Sequence, residues 1–266
     1  MVALHVRPPA VAGQFYPANA AVLRHTVEGY LHNARLPEGL GRACAVVAPH
    51  AGYVYSGPTA GYAYKALAAL PDRPRTVFLM GPAHRVPFWG VALGSYSALR
   101  TPLGDAPVAL DVVETMLAGA GLYARMPEAH AAEHCLEVQL PFLQVAVPQA
   151  RLVPMLFGEV DPARVAEDLL GRLGEDDLIV VSSDLSHYYP YDQARRLDLA
   201  LLEALVAGRR EEVLTGEACG RVPIAALMRV AHVRGWQPEL LDYRTSGDTA
   251  GDKWQVVGYG SVAFTI

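Results

Sequence analysis

Lysine is nearly absent from this chain of 266 residues: Lys65 and Lys253 are the only two. The other cations are arginines scattered without a basic stripe, and the formal net charge is -5 with a sequence pI of about 6.0. A nucleic-acid binder carries a clustered positive face, so nucleic acid is not an expected partner. Hyperthermophile composition is rich in Lys and Glu; this Arg-, Ala-, Gly- and Pro-weighted bias reads instead as the mark of a GC-rich genome. Cysteine is also scarce. Cys44, Cys135 and Cys219 are odd in number and far apart, which is no disulfide framework and leaves free thiols or ligands. No apolar run approaches the roughly 18 residues of a membrane span. The opening MVALHVRPPAVAGQFYP has neither a basic n-region nor an unbroken apolar h-region, so a cytoplasmic protein without a membrane partner is expected.

Motifs are missing as well. The chain has no G-x-S-x-G elbow, no P-loop, no G-x-G-x-x-G and no H-E-x-x-H, which removes the usual support for serine hydrolases, P-loop nucleotide enzymes, dinucleotide binders and zincin proteases. There is no Ser/Gly/Pro-rich linker, like-charge run, internal repeat or low-complexity tract. With 52% hydrophobic and 18% charged residues, one domain spanning residues 1–266 around a large core is expected.

What is present is a recurring pattern: a short apolar, β-branched run closed by a small-residue turn that carries a histidine. CAVVAPHAGY (44–53) ends at Pro49 and His50. TVFLMGPAH (76–84) ends at Gly81, Pro82 and His84. LIVVSSDLSH (178–187) ends at Ser182, Asp184 and His187. Such runs read as fully buried strands. Helical periodicity lies between them over 18–34, 135–146, 161–173, 191–207 and 221–234. The alternation predicts an α/β fold, three layers in α/β/α order around a mixed, mostly parallel sheet. The stretch 254–266 predicts one more strand, antiparallel and broken by a bulge at Gly258 or Gly260. Ligands in open α/β sheets bind beyond the carboxyl ends of the strands, and all three histidine turns fall at such ends.

Imidazole is the commonest protein metal ligand, so His50 and His84 are metal-ligand candidates; the competing reading is a hydrogen-bonded turn histidine. Cys219, in GEACGRVPIAALM, precedes a helical pattern, where a thiol pKa is depressed toward the thiolate that binds metal; the competing reading is a small buried hydrophobe. Cys44 and Cys135 fit that second description. His134 and Glu137 form an i, i+3 pair on a predicted helical face, which makes His134 an acid/base or outer-sphere candidate, while His130 is expected to be exposed. Asp184 and His187 suit general acid/base work, or Asp184 caps a helix. Arg85, Arg221 and Tyr53 are substrate-binding candidates, with surface exposure or core packing as the alternative; Tyr55, Tyr188 and Tyr189 are further candidates for the cleft wall.

Seven segments, AVAGQFYP, VVAPHAGYVYSG, GPAH, EHCLEVQLPFLQ, SSDLSHYYPYDQARRLD, CGRVPI and TSGDTAGDKWQVVGYGSVAF, resemble in order those of the Memo family, whose bacterial and archaeal members are often called AmmeMemoRadiSam system protein B. The resemblance runs from about residue 7 to 265. It implies a fold similar to the class III extradiol dioxygenases of LigB type, in which two histidines and a carboxylate hold non-haem iron(II). It implies His50 and His84 as metal ligands and Cys219 at the place of the carboxylate. His134 and His187 would be the outer histidines, with Asp184 in the same cleft. Two departures stand out: Cys135 follows the EH pair where serine is expected, and Val222 replaces a small or polar residue.

The leading expectation is a metal-dependent redox enzyme acting on a small substrate, aromatic among the candidates. Iron(II) or copper would be the metal, and zinc is admitted because a soft thiolate favours copper(I) or zinc over the iron(II) oxygenase set. A carboxylate would complete the site if Asp184 or Glu133 reached it. The rival expectations are a peptide- or protein-binding module using the same cleft, and a metal carrier or hydrolase. The family name also points to AMMECR-like and radical SAM proteins as partners.

Overall fold

The computed structural model describes residues 5–73, 75–119 and 121–266; the first four residues of the opening segment lie outside these. Four parallel strands form the centre of the main sheet, in the spatial order Ala43–Ala48, Leu178–Ser182, Arg75–Pro82 and Ala150–Phe157. Their side chains are buried on both faces almost throughout, as the unbroken Val, Ile and Leu runs require. Beside Ala43–Ala48 lies the antiparallel Val256–Thr265 strand, and beyond it Gln237–Thr245. The short Val91–Leu93 and Tyr123–Arg125 strands close the opposite edge. A separate small sheet joins His5–Arg7, Tyr96–Thr101 and Gly104–Pro107.

Helices cover both faces, giving the three layers. The Tyr53–Ala68 helix packs on the Ala43–Ala48 and Val256–Thr265 strands with Ala20–Asn33 and Leu140–Ala146 against it. On the other face Arg221–Arg234 packs on Arg75–Pro82 and Leu178–Ser182, with Pro162–Arg172 against it. No helix of the described residues is long and apolar enough to cross a membrane.

Three expectations need correction. The Val256–Thr265 strand is continuous, and its register shifts lie opposite His187/Tyr189, opposite Leu240/Asp242 and between Phe264 and Thr265 instead of at a glycine. Gly258 is there because the buried Asp198 carboxylate, on the Tyr191–Val206 helix, fills the space where a Cβ would stand. The predicted 135–146 helix begins as a 3-10 turn at Glu137–Gln139, so His134 and Glu137 share no helical face. Glu137 instead faces the N-terminal arm: it pairs with Arg7 at 2.7 Å and accepts from Ala10 N, Val11 N and the Tyr16 hydroxyl. His130 is buried, not exposed, with its Nε2 3.0 Å from Ala92 O.

Arg7 also donates to His130 O and, at 2.6 Å, to Glu133 O. The arm thus fastens the loop that delivers Glu133 and His134. Removing one partner of a buried ion pair leaves the other charge uncompensated, at a cost of about 3–5 kcal/mol. Arg7→Ala is therefore expected to lower the unfolding free energy by about that amount in denaturant titration. Arg24→Ala, which breaks the exposed 3.9 Å pair with Glu28, is expected to cost less than about 0.5 kcal/mol.

Candidate metal centre

The strands ending at Ala48, Pro82 and Ser182 are parallel neighbours, so their histidine turns emerge on one side. The His50 and His84 ring centroids are 5.2 Å apart, with His134 at 5.4 Å from the first and 5.0 Å from the second. One ring nitrogen from each of the three lies within 4.8 Å of the others. All three face a cavity of about 700 Å³ whose wall also includes Phe15, Tyr55, Arg85, Asp184, His187 and Tyr188. The predicted shared cleft is present.

Glu133 organises half of the cluster. Its carboxylate is buried and accepts from the backbone N–H groups of His84, His134 and Cys135, and from His84 Nδ1 at 3.0 Å. His134 Nδ1 stands 3.2 Å from the same oxygen, at an angle too poor for a hydrogen bond, and has no other partner among the described residues. Burial works to raise the Glu133 pKa, but the adjacent His134 and His84 rings and the Cys135 backbone N–H prevail and hold it well below the usual carboxylate range. An ionised carboxylate only accepts, so His84 carries a proton on Nδ1, and in the neutral ring Nε2 is then the lone pair. Glu133 is thus an outer-sphere anchor of imidazoles. Its position just before His134 was the only sequence signal for this role.

Cys219 approaches from the other side. Its Sγ lies 3.5 Å from His50 Nε2 and receives the Asp184 backbone N–H at 3.3 Å. The turn is possible because Gly220 packs directly on Ser183, where a Cβ would meet that side chain at 2.6 Å. Cys219 does precede the Arg221–Arg234 helix, but the expected depression of its pKa is absent. Burial and the neighbouring Asp184 charge push the thiol up to about 12. It does not line the histidine cleft but a second cavity, of about 820 Å³, with Phe88, Trp89, Arg164 and Arg221, and it stands outside the set of imidazoles whose donor atoms lie within 4.8 Å of one another. The larger cavity is therefore not the one that gathers the imidazoles.

The remaining candidates divide. Asp184 is buried and accepts from His50 N at 2.7 Å through Oδ1, while Oδ2 lies 3.9 Å from His50 Nε2. It neither caps a helix nor hydrogen-bonds His187 among the described residues. His187 lines the cleft on a short strand paired with Val257, followed by Tyr188 at φ 62°, the one non-glycine in the left-handed region among the described residues. Arg85 lines the cleft and Arg221 the second cavity. Tyr53 lies in neither wall: it is 2% exposed and its hydroxyl donates to Val138 O, so it packs the core while Tyr55 reaches the cleft. Cys135 is fully buried and donates to Pro82 O at 3.1 Å.

Burial also lowers the pKa of both His50 and His130 to about 4. Each stays neutral in the folded chain while an unfolded imidazole takes a proton below about 6.5. Between those values the unfolded state binds more protons, so their contribution to stability is lost as pH falls from about 6.5 toward 4, on the order of 2 kcal/mol each at pH 5. Ring resonances of both histidines are expected to stay unprotonated down to pH 5 in an NMR titration. Titration near 6.5 would contradict their burial.

The Memo-like protein family model matches residues 7–263. A MEMO1 family protein of Methanopyrus kandleri is 39% identical over 97% of this chain and 98% of its own length. Those of Aeropyrum pernix and Archaeoglobus fulgidus are each 37% identical, over 97% and 98% of this chain and 99% and 100% of their own lengths. Matched along nearly its full length by the model and by these relatives, the chain belongs to the Memo family.

Proposed function

We propose that the cleft is a metal centre and that this Memo-family chain is a metal-dependent redox enzyme acting on a small substrate. His50, His84 and Cys219 are the proposed ligands, and His134, His187 and Asp184 the surrounding polar groups. The observation that carries this reading is the 3.5 Å separation of Cys219 Sγ and His50 Nε2. Two donors sharing a tetrahedral ion, with metal–sulfur and metal–nitrogen bonds of ordinary length, stand about 3.5 Å apart. The thiol and imidazole are thus spaced as ligands already, and the His84 ring centroid lies 5.2 Å from that of His50. Glu133 itself is engaged by four donors and is not free to ligate, whereas Asp184 keeps one oxygen nearby.

Iron or copper bound there would supply one-electron redox chemistry, and zinc only Lewis acidity. The chain's own residues would do the rest. Arg85 provides a cation at the cleft wall for an anionic substrate group. Phe15, whose ring lies 5.0 Å from that of His134, and Tyr55 offer faces for an aromatic one. His187, partly exposed at the wall, is placed to exchange a proton with substrate. A second reading, capture of a peptide in the same cleft, draws on Tyr188, which is 68% exposed at the rim.

Metal analysis of protein purified without oxygen or added metal tests the proposal. About one equivalent of iron or copper is expected in the native chain. Loss of it is expected in His50→Ala, His84→Ala and Cys219→Ser, and retention in Cys44→Ser, Cys135→Ser and His187→Ala. Native zinc would move the reading to a carrier or hydrolase, and no metal would favour peptide capture. A thiol with a pKa of about 12 must lose its proton to ligate. Zinc uptake at pH 8.5, above the ordinary imidazole range, is therefore expected to release close to one proton in the native chain and none in Cys219→Ser, measured by calorimetry in buffers of different ionisation enthalpy.

A further inference from the structure

His50 is the one histidine of the cluster that Glu133 does not hold. Its Nδ1 lies 2.9 Å from Ser182 Oγ, and Ser182 is completely buried. A serine hydroxyl has one hydrogen and two lone pairs. Ser182 Oγ has three neighbours: His50 Nδ1, Cys135 O at 2.7 Å and Gln139 Nε2 at 2.8 Å. The carbonyl of Cys135 can only accept, so it takes the single serine hydrogen. The amide nitrogen of Gln139 can only donate, so it fills one lone pair. Only the second lone pair is left for His50.

The direction of the Gln139 amide is decided by its own contacts, not by its shape. Its nitrogen lies 2.9 Å from Pro49 O, a carbonyl that would repel the amide oxygen. Its oxygen receives the hydroxyl of Tyr64 at 2.7 Å. Tyr64 and Gln139 are both completely buried, so water cannot rescue a reversed arrangement.

We propose that Ser182, held by Gln139 and Cys135 O, is a positioning residue that fixes His50 as the Nδ1–H tautomer and keeps Nε2 as a lone pair aimed at Cys219. In an imidazole the tautomer is set by the bond the far nitrogen makes. Here that bond is supplied by a neutral hydroxyl whose only proton is committed elsewhere, in contrast to the carboxylate that serves His84. His50 is thereby prepared to give an electron pair with no carboxylate on its Nδ1, the nearest, Asp184 Oδ2, standing 3.9 Å from Nε2. The consequence for metal binding rests on the reading of the cleft as a metal centre; the tautomer does not.

The test is a long-range proton–nitrogen NMR spectrum of metal-free, 15N-labelled protein at pH 7, with His50 assigned by the signals lost in His50→Gln. The native chain is expected to carry the His50 proton on Nδ1. In Ser182→Ala the Nε2–H form, which a free imidazole ordinarily prefers in water, should appear, and Ser182→Thr, which keeps the hydroxyl, should restore the native pattern. Zinc affinity, read by competition with a chromophoric chelator, should fall about 10–100-fold in Ser182→Ala and recover in Ser182→Thr. A proton on Nε2 in the native chain would overturn the inference directly, whether or not the variants fold. An unaltered Nδ1–H pattern in folded Ser182→Ala would overturn it equally. Undiminished zinc affinity in His50→Gln would instead overturn the metal reading and leave the tautomer result standing.

Discussion

A single buried carboxylate, Glu133, gives the cleft its shape. Removing its charge from water is costly, and four hydrogen bonds from His84, His134 and Cys135 offset that cost. Because three of the four come from backbone N–H groups, two of them those of His134 and Cys135, the carboxylate fixes the loop as well as the His84 ring. Arg7 grips the same loop from outside through His130 O and Glu133 O, and Glu137 holds Arg7. The N-terminal arm, the loop and the imidazoles are therefore one electrostatic unit. Its cost in desolvated charge makes sense only if the position of the imidazoles matters.

The other half of the site rests on the sheet. Parallel pairing sends the chain out of Ala48 and Ser182 side by side, which puts His50, Asp184 and, through the Ser183–Gly220 contact, Cys219 within a few ångström of one another. The His50 ring on this side sits between the neutral Ser182 hydroxyl, the Asp184 carboxylate and a thiol whose proton burial retains. The mouth of the cleft is different in kind: partly exposed aromatics and Arg85 face a space large enough for a small organic molecule. Imidazoles at the base, and partly exposed aromatic groups at the rim, are what the proposed metal-dependent activity rests on.

Much of this was legible in the residues alone, where local signals and tertiary demands agree. The Val- and Ile-rich runs before His50, His84 and His187 are buried on both faces and could only be central strands, so their shared end was predictable from topology. The Tyr53–Ala68 helix and the Ala150–Phe157 strand are hidden in the sequence, the first because Gly52, Gly57, Pro58 and Gly61 mimic a loop, the second because Pro154 interrupts the run. Tyr53 looked like a cleft residue because it follows His50 closely, but the start of that helix turns it inward and leaves Tyr55 at the wall. The thiol pKa of Cys219 failed for a related reason: helix position is a local feature, while burial depends on Asp184 and strands more than thirty residues away. The organising role of Glu133 was hidden because its partners are mostly backbone groups, which no residue pattern displays.

The proposed centre depends most directly on which atoms would surround its metal. X-ray absorption at the metal edge of the protein as isolated without oxygen reads those atoms without reference to any activity. One sulfur with two imidazoles among the nearest scatterers is the predicted result, with the sulfur lost in Cys219→Ser. A shell of nitrogen and oxygen alone in the native chain would contradict it and return the centre to a carboxylate or three-histidine type.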